Sequence, residues 1–455
     1  MSQNETSLSG FNRRDFLRGG SLATIMTLLG GVPLVAQRPA SAAEEKPAGP
    51  KVKCAVIGLG AWGREIVSTL LRLPQADLAV ICDTYPAYLR RTGNLAPSAK
   101  KTEDYKTILD DKEITAVIIA TPTHLHKDIA LAALSAGKHV YCEAPLANTV
   151  EDARAIATAA RDAVKQVFQP GLQNRSDPQL HFLVPFIRSG ACGNLALARA
   201  QWNKKQSWRT TSPNPEKEKQ LNWRLDKAIS LGLVGEVGIH QIDQAVWFLN
   251  KAPKSVLGFG SLINWNDGRD VPDTVQAVFE FPGGVRLGYD ATLANSFEAE
   301  YEVYYGSDAA VMVRDNNKAW MFKEVDAPLL GWEVYAKKDQ FYRDTGISLR
   351  ADASKQKSIL TKPEDDVADQ KTPLSYALES FVGNAAEISN AVEDFVSTYG
   401  GSDLAAMKKT LGEITLRPGA TWKEGYDATV LAIKANEAIT RGDKILFQKE
   451  WFELA

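Results

Sequence analysis

A two-domain α/β chain is predicted, with a doubly wound parallel sheet in the first domain and a large, mostly antiparallel open sheet in the second. Three observations predict it: repeated strand-then-helix units from residue 51 to about 170, a series of β-branched or alternating segments beyond residue 195, and a length of 455 residues. That length exceeds what one hydrophobic core usually reaches. Expected boundaries are a leader over residues 1–42, a linker over 43–50, a nucleotide-binding domain over 51–170 and a substrate and oligomerisation domain over 171–455, whose final helix packs back toward the first.

The leader reads as a twin-arginine export signal. Asn12-Arg13-Arg14-Asp15-Phe16-Leu17-Arg18 precedes an uncharged run from Gly19 to Val35, and Ala40-Ser41-Ala42 supplies the small-x-small cleavage pattern. The run is short and glycine-rich beside the roughly 20 apolar residues of a membrane span, so no stable anchor is expected. The twin-arginine export machinery is the implied partner and the periplasm the implied destination. The leader's four arginines outweigh Glu5 and Asp15 by two charges, so the net charge moves from -2 to -4 on its removal. That balance is no nucleic-acid footprint. Cys54, Cys82, Cys142 and Cys192 are widely spaced among apolar residues and read as small buried side chains.

In the first domain, Val52 to Ile57 is β-rich and leads into Gly58-Leu59-Gly60-Ala61-Trp62-Gly63, after which Arg64 to Leu73 has helical character. Strand, glycines, then helix is the context that makes this a dinucleotide-binding, or Rossmann, fingerprint. Gly58 permits the tight turn, Gly60 lets a pyrophosphate approach the backbone, and Gly63 lets helix and strand pack closely. A second strand, Leu78 to Cys82, delivers Asp83, placed to accept from the adenosine ribose hydroxyls. A carboxylate there repels a 2'-phosphate, so NAD is favoured over NADP, although Arg90 and Arg91 could pair with that phosphate.

The apolar run Ile114 to Ala120 reads as a strand buried on both faces, ending at Thr121-Pro122-Thr123-His124-Leu125-His126 and followed by a helix to Leu134. His124 and His126 could share a metal, but no third ligand clusters with them, so no metal is expected. His139 to Cys142 is the next strand, ending at Glu143-Ala144-Pro145, and Thr149 to Asp162 and Lys165 to Phe168 complete the alternation. Ligands of such sheets lie beyond the strand C-termini.

In the second domain Gln173-Asn174-Arg175 follows the last parallel strand, and a helix over Pro178 to Ser189 precedes a strand over Leu195 to Trp202. The polar stretch Asn203 to Trp223 sets cations beside tryptophans, so Trp208 and Arg209 are candidate sugar contacts. Gly238 to Leu249 reads as a helix, which puts Glu236 and His240 four apart at its start. A carboxylate bonded to one imidazole nitrogen would set the tautomer of a general base. Val256 to Phe259, Thr274 to Phe281, Val285 to Tyr289, Ala299 to Tyr304 and Ala309 to Val313 read as strands, with a turn at Pro282-Gly283-Gly284. Residues 324–372 read as a polar surface excursion or a partner-contacting arm, and Leu374 to Asn390 and Tyr426 to Arg441 as the last helices.

Together, Gly58-Leu59-Gly60, the Thr121 to His126 turn, Glu143-Ala144-Pro145 and Glu236-Val237-Gly238-Ile239-His240-Gln241-Ile242-Asp243 resemble the glucose-fructose oxidoreductase, inositol dehydrogenase and MocA (Gfo/Idh/MocA) family, and the leader resembles that of its exported members. The resemblance implies NAD(P)-dependent chemistry on a sugar, polyol or sugar derivative, and a homodimer or homotetramer. It implies cofactor contacts from residues 58–63, Asp83, Thr121, Pro122, His124, His126, Glu143, Ala144 and Gln173. It puts Arg175 and Asp243 with Trp208 and Arg209 at the substrate, and His240 and Glu236 at the chemistry. The family usually has lysine where this chain has Ala144, and Lys227, Arg224 and Arg209 are possible replacements for its charge. Three readings follow: an exported oxidoreductase that recycles a captive cofactor, a redox-neutral glycoside hydrolase or lyase using transient oxidation and elimination, and a non-catalytic NAD-containing sugar-binding protein.

Overall fold

A computed structural model describes residues 51–334, 336–341, 344–351 and 371–454, so the leader and linker expected over 1–50 lie outside the described residues. The parallel strands are β1 (Val52–Ile57), β2 (Ala76–Cys82), β3 (Lys100–Thr102), β4 (Ala116–Ile119), β5 (His139–Cys142) and β6 (Phe168–Pro170), in the sheet order β3-β2-β1-β4-β5-β6. This order reverses between β1 and β4, the switch point at which doubly wound sheets bind ligands. Helices α1 (Ala61–Leu70), α2 (Pro86–Leu95), α3 (Lys106–Asp110), α4 (His126–Ser135) and α5 (Val150–Asp162) make the crossovers. The expected strand over Lys165 to Phe168 begins instead at Phe168, because only the segment from there pairs with β5.

Beyond them come α6 (Pro178–Arg188), α7 (Pro215–Leu221), α8 (Gly232–Glu236), α9 (Ile239–Leu249), α10 (Pro373–Tyr399), α11 (Leu404–Leu411) and α12 (Trp422–Arg441). The second sheet has ten strands: β7 (Leu195–Asn203), β8 (Ser255–Ser261), β9 (Thr274–Glu280), β10 (Arg286–Thr292), β11 (Glu300–Gly306), β12 (Ala309–Arg314), β13 (Lys318–Lys323), β14 (Lys338–Phe341), β15 (Asp344–Leu349) and β16 (Ile445–Leu446). Only the β7 and β10 pairing is parallel, so the sheet is mixed and mostly antiparallel. Its buried face, including Ala277, Phe279, Leu287 and Tyr289, packs on Ile242, Ala245 and Phe248 of α9 and on Leu183 and Phe186 of α6. Hydrophobic burial on that one face holds α9 against the sheet.

Of the excursion expected over 324–372, residues 352–370 lie outside the described residues, and the described segments before them are not merely surface. They contain β14 and β15, and Leu330, Trp332 and Ile347 enter the sheet core. The C-terminal third also completes the first domain: Leu374, Leu378, Phe381 and Val382 of α10 cover one face of the parallel sheet. On α12, Tyr426 and Val430 pack into the other face, while Leu431, Ala435 and Ile439 belong to the second-domain core. One helix thus joins two cores and fixes the cleft between them. Among the described residues no helix is long and apolar enough to cross a membrane.

Candidate active site

The glycine loop is shaped by contacts that only glycine tolerates. Gly58 has φ +96°, and a Cβ there would lie 2.5 Å from the Ala120 carbonyl oxygen. A Cβ at Gly63 would lie 2.0 Å from the Gly58 carbonyl oxygen, whereas Gly60 has nothing within 4 Å and so leaves an open face. Helix α1 starts at this open face with no side-chain cap, so its first backbone N–H groups are free to meet a pyrophosphate. Asp83 accepts from Leu59 N and Tyr85 N, both at 2.7 Å, which braces the loop and leaves lone pairs for ribose hydroxyls.

At the ends of β4 and β5, Thr121 Oγ1, His124 Nδ1 and Glu143 Oε1 are buried without a hydrogen-bond partner. Burial pushes the Glu143 carboxyl up to about 8, against smaller opposing contributions from Trp62 and the Ala144 backbone. Gln173 Nε2 donates to its Oε2 at 3.5 Å. Buried orphan atoms beside an open glycine cradle fit a ligand such as a dinucleotide with its polar amide end toward Glu143.

His126 does not face this space. Its ring is 1 % exposed, and Nδ1 and Nε2 lie 2.9 Å from the carbonyls of Pro145 and Thr121, so it staples the two strand-end turns together. Burial lowers its pKa to about 4. Ala144 is half-buried against a small apolar cluster of Leu172, Ile239, Ala420, Ala428 and Ala432.

The expected bond between Glu236 and His240 is not formed. The helix breaks at Val237 and Gly238, so the two residues belong to separate helices, α8 and α9, and lose the i, i+4 relation. A reason lies at Gly238, where a Cβ would sit 2.6 Å from the Tyr289 ring, showing how closely the backbone presses on the sheet. Glu236 instead accepts from Thr123 Oγ1 at 2.8 Å and from Leu231 N at 3.1 Å, tying the first domain's turn to the second domain. Burial raises its carboxyl, and the Arg224 guanidinium nearby pulls it back. Thr123, which no reading of the sequence singled out as a partner of Glu236, is therefore one of the residues that join the two domains.

His240 is half-buried; its Nδ1 is enclosed without a partner, and no described residue bonds its Nε2. Burial lowers its pKa to about 4, so the ring is neutral near pH 7 and able to take a proton. The four expected substrate contacts are engaged elsewhere. Arg175 binds Asp243 through two bonds of 2.8 Å and approaches Glu424 at 3.5 Å, a buried fork-to-carboxylate pair. Arg209 donates to the Asp267 carbonyl at 2.7 Å and to Glu218 at 3.1 Å. Trp208 lies under Arg224, whose guanidinium carbon is 5.8 Å from the Trp208 ring and 4.5 Å from that of Trp223. Among the described residues no cluster of three His, Cys, Asp or Glu could hold a metal.

Residues 52–170 match the Gfo/Idh/MocA oxidoreductase family with its NAD-binding Rossmann fold, and residues 184–311 match the Gfo/Idh/MocA C-terminal domain. Among curated relatives, levoglucosan dehydrogenase of Pseudarthrobacter phenanthrenivorans is 33% identical over 38% of this chain and 42% of its own length. Inositol 2-dehydrogenase of Salmonella typhimurium is 28% identical over 45% of this chain and 56% of its own length. The chain thus spans about half the length of these relatives. Among solved structures, levoglucosan dehydrogenase in complex with NADH superposes with a TM-score of 0.61 at 20% identity, covering 87% of this chain and 99% of that one. Aldose-aldose oxidoreductase from Caulobacter crescentus gives 0.60 at 18%, covering 87% and 100%. At these identities the likeness concerns the fold. With both of its domains matched in order over more than half of its length, the chain belongs to the Gfo/Idh/MocA oxidoreductase family, and its Rossmann domain is an NAD-binding one.

Proposed function

We propose that the protein is an exported NAD-dependent oxidoreductase of a sugar, polyol or sugar derivative, and that it retains and recycles its cofactor. The observation that carries the reading is His240: a neutral imidazole with one nitrogen enclosed and unbonded, at the start of α9 just after the Glu236 that bonds Thr123 of the β4 turn. Bound NAD would supply the hydride acceptor. His240 Nε2 takes the hydroxyl proton, Thr123 and Glu236 hold the two domains in register around the substrate, and Glu143, protonated below about 8, presents a neutral carboxyl to the cofactor side. Export follows from the paired Arg13 and Arg14, and captivity follows from export, since a periplasmic protein cannot draw on cytosolic NAD. Assembly as a homodimer or homotetramer belongs to the same proposal.

The test is nucleotide release from purified full-length protein by acid, followed by NADH formation and re-oxidation with levoglucosan, myo-inositol and aldoses. Bound NAD that cycles between two sugars is the expected result. Nucleotide-free protein that neither takes up NAD nor turns over any sugar overturns the reading. Release of a free sugar from a glycoside at constant NADH would instead establish the redox-neutral hydrolase, which the apolar Ala144 favours. Replacing Arg13 and Arg14 by lysine is expected to leave the protein in the cytoplasm.

A further inference from the structure

We propose that Arg224, from the second domain, supplies the positive charge that the first domain lacks at Ala144, and that it holds and polarises the reacting oxygen of an uncharged sugar or polyol. This rests on the oxidoreductase reading above. Ala144 packs against the apolar cluster of Leu172, Ile239, Ala420, Ala428 and Ala432, so this position itself brings no cation to the cleft. Five cations of the neighbouring loops are engaged. Arg175 is paired with Asp243, Arg209 with Glu218 and the Asp267 carbonyl, Arg269 with Asp267, Lys227 with Asp270 at 4.0 Å, and Lys217 with the Thr84 carbonyl and Gln220.

Arg224 differs from all of these. It stands in the short 3-10 turn Trp223–Leu225, exposed toward solvent, and neither donates a hydrogen bond nor forms an ion pair with any described residue. It is nevertheless held in place, because its guanidinium lies over two tryptophan rings, one of them buried Trp223. Stacking of this kind orients a planar cation while leaving all five N–H groups unused. The same Trp223 ring lies 6.0 Å from His124, so the platform reaches the β4 turn where the cofactor contacts begin. A preoriented donor set with no internal acceptor is what electrostatic stabilisation of a developing alkoxide needs.

The charge of the substrate follows from the neighbours. Glu236 lies within electrostatic range of Arg224, and Asp226 within range of His124. The Glu236 carboxyl near the guanidinium and the Asp226 carboxylate near the adjoining His124 disfavour an anionic ligand, whereas a neutral hydroxyl gains negative charge only as His240 removes its proton.

The experiment uses the NAD-loaded full chain, with levoglucosan, myo-inositol and glucuronate as probes. For Arg224→Gln, kcat/KM is expected to fall roughly 100- to 1000-fold, mostly in kcat, with NAD content and melting temperature retained. Added guanidinium is expected to restore part of the turnover of Arg224→Ala. Arg224→Gln within twofold of the parent overturns the assignment, as does a parent that prefers glucuronate to the neutral sugars. Should Arg224→Gln lose NAD or unfold, the guanidinium arm decides, and absence of rescue overturns the assignment. A parent inactive on every sugar removes the oxidoreductase reading itself, so the two failures are told apart.

Discussion

Helix α9 carries two polar corners one turn apart, and they are built in opposite ways. At Asp243 the carboxylate is closed off by Arg175 through two short bonds, and the pair is nearly buried. At His240 nothing is closed: the imidazole has no partner among the described residues, and Glu236 spends its oxygens on Thr123 and a backbone N–H. In sequence both corners belong to one dense polar segment, read as the base at His240 and a substrate-side acid at Asp243. The difference teaches that the density of polar residues does not mark a site; the charges left unsatisfied do.

The largest effect that could break this comparison is on turnover. His240→Ala is expected to lower kcat roughly 100- to 10,000-fold with NAD retained, read by steady-state kinetics beside nucleotide content. Asp243→Ala should instead act on stability, costing about 3–5 kcal/mol by stranding the Arg175 guanidinium, read as a fall in denaturation midpoint. Equal losses of turnover without loss of stability at both positions would erase the distinction.

Smaller effects sharpen it through pH. Buried His126 and His139 have pKa values lowered to about 4 from 6.5, so the unfolded chain binds more protons between those values and stability falls as pH drops from 6.5 to 4. The expected loss is roughly 3 kcal/mol per ring, visible in urea midpoints at pH 7 and 4.5. Glu143 has the opposite sign: its carboxyl is raised from 4.5 to about 8, so its contribution is full below 4.5 and disappears as pH rises through 8. Glu143→Gln should therefore gain melting temperature over the parent at pH 9 and not at pH 4. The smallest effect is expected for Glu236→Gln. Because Glu236 does not orient His240, kcat should change by less than about tenfold, and a loss as large as that of His240→Ala would revive the hydrogen-bonded dyad.

The amino-acid sequence by itself determined the parallel domain, the glycine cradle and the position of Asp83, because those depend on local demands: a positive φ at Gly58, β-branched runs, and strand-to-helix spacing. It also sufficed for most of the antiparallel strands, whose alternation mirrors one buried face. What it left undecided involved contacts between distant segments. Helix periodicity across Glu236 to His240 carries no sign that the backbone must break at Gly238 against Tyr289. The pair after Lys338 is polar enough to read as loop until β13 and the sheet core accept it. Only the tertiary structure decided which arginine pairs with a carboxylate and which stays free, since Arg175 and Asp243 are 68 residues apart and Thr123 and Glu236 are 113 apart. Such partners are chosen by packing of two cores through α12, a long-range property that no window of sequence contains.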